Sequence, residues 1–120
     1  MITIEDAQLM LDEIAEELPA EFYKELNGGI LLLPDRKVSP HAREEDLYIM
    51  GEYHHNSSMG RMIYIYFGSF QQLYPEISGD RMKKKLKDTL LHEFTHHLES
   101  LAGERGLEIK DQEQLKRYKG

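Results

Sequence analysis

Apolar residues near the amino end recur at Ile4, Ala7, Met10 or Leu11, Ile14, Ala15 and Leu18, the spacing of a single helix face. Thr3 precedes the run as an N-cap, and Asp6 three residues on completes a capping-box pattern. Pro19 ends this helix and suits the first turn of a second, short one over residues 20–26. Phe22, Tyr23 and Leu26 would face inward there, and Asn27-Gly28-Gly29 would stop it. Ile30-Leu31-Leu32-Leu33 is a continuous apolar run between Gly29 and Pro34 and predicts a buried strand. Residues 35–46 are polar and read as a loop. Two further strands are expected over 47–53 and 62–67, where β-branched and aromatic residues are frequent. They can pair as an antiparallel hairpin across a long turn-like loop at 54–60. Residues 68–79 read as a connection, with Pro75 breaking any helix.

The longest periodic segment runs from Asp80 to about Ala102. Met82, Leu86, Leu90, Phe94, Leu98 and Leu101 fall on one face of a helix there. Gly103 and Gly106 then loosen or end it, and the mostly charged tail has room for one more short helix carrying Leu115 and Tyr118. Helices flanking a few strands predict a single α+β domain over residues 1–120.

The long helix also carries the chemistry. His92-Glu93-Phe94-Thr95-His96 places two histidines at i and i+4, one above the other on a flank of the apolar stripe. Their imidazoles can converge on one Zn²⁺. Glu93 projects to one side of the pair, poorly placed as a ligand but well placed to take a proton from a water on the metal. A third ligand is expected from beyond Gly103, where the chain can turn back, and the candidates are Asp111, Glu108 and Glu104. Asp111 leads, since an acidic residue just after a Gly-terminated turn can fold over the site. Glu99 lies two turns from His92, too far along the axis for one ion, and reads as an outer or surface group. His97 falls on the core side and reads as a histidine bonded within the fold. His54 and His55 read as an exposed loop pair, and Lys83-Lys84-Lys85 with Lys87 as a solvated helix start.

Composition narrows the alternatives. With no cysteine, no disulfide forms and any metal must be held by His, Asp and Glu. A formal net charge of −7 argues against a nucleic-acid partner. No apolar stretch is long enough for a bilayer, and the amino end lacks a signal-peptide pattern, so no membrane partner and a cytoplasmic location are expected. A carboxylate-bridged di-iron reading of Glu93-x-x-His96 would need a second such motif on a facing helix, and none occurs on a convincing helix.

The ordered set of segments resembles the small bacterial zincin-like metallopeptidase family, once catalogued as a domain of unknown function. The resemblance runs through Glu17-Leu18-Pro19 at the end of the first helix and the buried strand. It continues through Leu47-Tyr48-Ile49-Met50-Gly51-Glu52-Tyr53, similar to that family's Leu-Gly-x-Tyr strand, and Ile63-Tyr64-Ile65-Tyr66-Phe67. It is densest at Leu91-His92-Glu93-Phe94-Thr95-His96-His97, which matches the family's metal helix with its doubled histidine. The family usually continues with a Gly two residues on and an acid three further, where this chain has Glu99 and Ala102. Gly106-Leu107-Glu108-Ile109-Lys110-Asp111 looks like that segment displaced. The resemblance implies a minimal zincin with N-terminal helices, a small mixed sheet of about three to four strands, and a long C-terminal metal helix. It implies zinc on His92, His96 and, through the displaced segment, Asp111, with Glu93 as general base. The substrate would be a peptide or protein, with a strand near Met62 to Phe67 holding its backbone by strand addition. The competing expectation is a non-catalytic zinc- or peptide-binding module that keeps the same ligands.

Overall fold

The computed structural model describes residues 1–41 and 47–104. The architecture is α+β, as expected. Helix α1 spans Ile4–Glu17 and a single 3₁₀ turn spans Ala20–Tyr23. Strands β1 (Gly29–Leu33), β2 (Lys37–Val38), β3 (Tyr48–Ile49), β4 (Gly51–Asn56) and β5 (Gly60–Tyr66) follow, and helices α2 (Phe67–Leu73) and α3 (Gly79–Glu104) complete the described chain. Thr3 caps α1 as predicted: its hydroxyl accepts from the Asp6 N–H and the Asp6 carboxylate accepts from the Thr3 N–H.

The main sheet has the order β1-β5-β4. β5 is central, parallel to β1 with Ile30 beside Ile63, and antiparallel to β4 with Gly51 beside Ile65 and His54 beside Met62. Alternation along β5 sends Ile63 and Ile65 to one face, and both are fully buried. Ala7, Leu11 and Ile14 of α1 and Met82, Leu86, Leu90 and Phe94 of α3 close over that face. Each large apolar side chain buried in this way contributes roughly 1.5–3 kcal/mol. Phe22 and Tyr23 set their rings against Phe94, with centroids 5.4 and 5.3 Å away. The stripe predicted for the long helix is thus the core stripe, with Leu98 half-buried at its margin.

Several expectations are corrected. The second helix is only one 3₁₀ turn, because Glu25 takes a left-handed φ of 61° and turns the chain away. The strand expected over 47–53 divides at Met50: β3 pairs with β2, inside the expected loop, and β4 pairs with β5. The Met50 carbonyl still accepts from the Tyr66 N–H, so the chain changes partner there without losing that bond. The hairpin turn is short, because β4 runs on to Asn56, whose side-chain oxygen accepts from the Ser58 and Met59 N–H groups. His54 and His55 therefore lie on a strand. Residues 67–73, expected as connection, form α2, where burial of Phe67 and Phe70 rewards the helical spacing; Pro75 follows the helix rather than forbidding it. Gly103 lies inside α3 and does not end it. Among the described residues no helix is long and apolar enough to cross a membrane.

Candidate metal centre

Burial of the α3 stripe sets the roll of the helix, and the roll decides where the histidines point. His92 is exposed and His96 half-buried, both on the flank expected. Their ring centroids lie 5.0 Å apart with the ring planes at 77°. Two imidazoles bound to one tetrahedral ion about 2 Å from each nitrogen have centroids about 5 Å apart. The ring separation matches that of such a pair, and with no cysteine a nitrogen and oxygen donor set would have to complete it. Glu93, between them in sequence, is buried at 5% exposure. Thr95 directs its hydroxyl back to the Leu91 carbonyl at 3.0 Å and takes no part.

β4 faces this flank. Ile49, Gly51, Glu52, Tyr53 and His54 form one wall of an open cleft of about 380 Å³, and His92, Glu93 and His96 form the other. A second hollow of about 370 Å³ continues it past Ile49, Met50, Asp88 and Thr89. Among the described residues β5 has a partner strand on each side, whereas β4 is an edge strand. This corrects the strand expected to hold a peptide: β5 has no free ladder positions, and the edge beside the histidines belongs to β4.

Behind the cleft wall lies a network that the sequence reading missed. The Glu52 carboxylate accepts from Lys37 Nζ at 2.5 Å, from the Tyr66 hydroxyl at 2.5 Å and from His54 Nε2 at 3.0 Å. Burial alone would raise the Glu52 carboxyl, but the bonds from Lys37, Tyr66 and His54 outweigh it and hold the group down at about 2. Burial, and then the bond to Glu52, pushes the Tyr66 phenol upward. The His54 ring leans on Tyr64 with centroids 4.6 Å apart. The available signal was a lone acid two residues before a histidine in an otherwise apolar strand. Its partner Lys37 could not be found without the fold.

His97 is bonded within the fold, as expected, and is fully buried rather than semi-buried. Its Nε2 lies 2.8 Å from the Lys24 carbonyl, which can only accept, so Nε2 carries the proton. Nδ1 then accepts from the Tyr53 hydroxyl at 2.9 Å. Burial lowers the tendency of this ring to protonate, opposed by the carbonyl bond. His55 is exposed on the far part of β4. Of the basic run, Lys83 pairs with Glu13 and Lys85 sits over the Tyr74 ring.

The described residues supply no third donor beside His92 and His96. Among the described residues no three His, Asp or Glu side chains form a group that could hold a metal ion. Glu99 is half-buried one turn beyond His96 and does not make such a group. Because α3 continues through Gly103, the Glu104 backbone is carried about 12 Å along the axis from His96. Of the expected candidates, Glu108 and Asp111 lie outside the described residues.

The solved structure of a conserved hypothetical protein from Thermus thermophilus matches this fold with a TM-score of 0.71. It is 32% identical, and the match covers 85% of this chain and 99% of that one. No family model and no curated protein matches the chain.

Proposed function

We propose that this chain, which belongs to the same family as the Thermus thermophilus protein, is a zinc-dependent peptidase of the minimal zincin type acting on peptides or unfolded segments. The observation that carries the reading is the placement of His92 and His96, with rings 5.0 Å apart, across a cleft from the edge strand β4, with buried Glu93 between them in the chain. When bound, zinc would supply a Lewis acid and lower the pKa of a coordinated water toward 7. His92 and His96 would hold the ion, with Asp111 as the leading third donor. Glu93 would take the proton of the attacking water and pass it to the departing amine; its burial keeps bulk water from competing for that proton. The edge of β4 would align the substrate backbone by strand addition. The Tyr53 hydroxyl is committed to His97 and His54 Nε2 to Glu52, so stabilisation of the developing oxyanion would fall to the metal. Nothing in the chain needs an oxidising compartment, and we assign the work to the cytoplasm.

The test is metal content by mass spectrometry on the wild type beside His96→Ala, followed by cleavage of a peptide library with Glu93→Gln as control. The expected result is about one zinc per chain, lost in His96→Ala. Peptide turnover is expected to vanish in Glu93→Gln while zinc stays. Zinc without turnover in the wild type reassigns the protein to a binding module. No zinc, even after refolding with the metal near neutral pH, refutes both.

A further inference from the structure

We propose that Gly51 is a positioning residue for Glu93: the missing side chain at this point of β4 is the space into which the Glu93 stem is seated. A Cβ placed on Gly51 would lie 2.9 Å from Thr89 Cγ2, 3.2 Å from Glu93 Cγ and 3.2 Å from the Tyr64 carbonyl oxygen. Thr89 and Glu93 are one helical turn apart, so α3 rests directly on the backbone of β4 here. The Tyr64 carbonyl belongs to the neighbouring strand and cannot yield without disturbing the ladder. Only the helix side can move.

Backbone conformation does not explain this glycine. The left-handed glycines of the described chain are Gly29 and Gly60, and Gly51 is not among them. The demand at position 51 is for space. Thr89 and Glu93 share it, and of the two Glu93 lines both hollows of the cleft. A methyl group at 51 moves Glu93 Cγ by a few tenths of an ångström, and the carboxylate, two bonds further out, swings more. A general base works within about 2.6–3.2 Å of the proton it takes, and a misplacement of about 1 Å can cost a hundredfold.

The kinetic part of this inference rests on the peptidase reading, and the structural part does not. The test uses Gly51→Ala and the double variant Gly51→Ala/Thr89→Ser. The serine removes the methyl that meets the new Cβ at 2.9 Å, so the helix keeps its seat while the Glu93 contact remains. Crystal structures of the wild type and the double variant are expected to show the Glu93 carboxylate displaced and the His92 and His96 rings in place. Zinc content should stay at the wild-type level. Turnover should fall by about tenfold to a hundredfold in kcat, with KM within about twofold. A carboxylate that stays where it is, or an unchanged kcat, overturns the inference. Should the wild type cleave nothing, the peptidase reading fails, and the carboxylate position alone still decides the role of Gly51.

Discussion

The bond between Tyr53 and His97 offers a clean perturbation, because Tyr53→Phe removes one oxygen and leaves the ring. His97 is fully buried, and its Nδ1 accepts from the Tyr53 hydroxyl at 2.9 Å. The Lys24 carbonyl holds the proton on Nε2, so the ring cannot turn or change tautomer without breaking a second buried bond. Phenylalanine therefore leaves Nδ1 as a buried acceptor with its donor removed, which costs about 1–3 kcal/mol. No cavity is created beyond a single oxygen. Unfolding entropy of about 2.1 cal/mol/K per residue makes each kcal/mol worth about 4 °C for a chain of this length. The expected fall in Tm is therefore about 4–12 °C. Differential scanning calorimetry at pH 7.5 reads the shift, and long-range ¹H–¹⁵N spectra of the wild type read the tautomer. A variant as stable as the wild type, or a wild-type His97 with its proton on Nδ1, refutes the reasoning.

Two further predictions concern the cleft wall and the third ligand. Glu52 is held at about 2 against an ordinary 4.5, so the stability it contributes is fully present above about pH 4.5 and lost as pH falls through about 2. The depression sets a ceiling of about 3 kcal/mol; with the Lys37 side chain 41% exposed, solvent screening leaves about 1–2 kcal/mol. Urea unfolding at pH 5 and pH 3 should show the wild type losing more stability on acidification than Glu52→Gln, and equal losses would exclude the role. Asp111→Ala should weaken zinc binding by at least about a hundredfold while Glu108→Ala does not, since even an outer partner of a ligand is worth about 10–100-fold. Competition with a chromophoric chelator measures both, and unaltered affinity in both variants rules out a third donor from this segment.

What the sequence made legible follows from how strongly each residue's surroundings depend on near neighbours. The apolar stripe from Met82 to Leu101 and the Thr3–Asp6 cap are local patterns, and both appear in the structure. The histidine pair was legible for the same reason: an i, i+4 spacing on a helix defines its own geometry. Strand partners are not local. Nothing in Lys37–Val38 or Tyr48–Ile49 marks a two-residue ladder, because so short a run has no periodicity to read. The central place of β5 was hidden too, since pairing of β1 with β5 joins segments about thirty residues apart. That pairing put β5 in the middle of the sheet and left β4 at its edge among the described residues. His54 was misplaced because the turn-like stretch 54–60 was taken to begin at it, whereas β4 runs on to Asn56. Helix α2 was missed because Pro75 was taken to forbid what it only terminates.

The geometry of the cleft reduces to how one helix sits on one strand, and separate residues govern separate coordinates of that fit. Roll about the axis of α3 belongs to Met82, Leu86, Leu90 and Phe94, each buried to about 1% exposure or less. At roughly 1.5–3 kcal/mol apiece, they make any roll that hides the histidines prohibitively costly. Sliding along the axis is opposed by His97, tied to β4 through Tyr53 and to the segment after the 3₁₀ turn through Lys24. Those directional bonds hold to a few tenths of an ångström, which apolar contacts alone do not. Distance of approach is governed by Gly51, where strand backbone meets the side chains of Thr89 and Glu93. His97 and Glu93 lie at opposite ends of the His92–His96 segment, so the slide and approach constraints bracket the histidine pair. A chain of 120 residues has little material for elaborate substrate pockets. By setting roll, slide and approach independently, it can still hold two imidazoles and one carboxylate in a defined relation to an open strand edge.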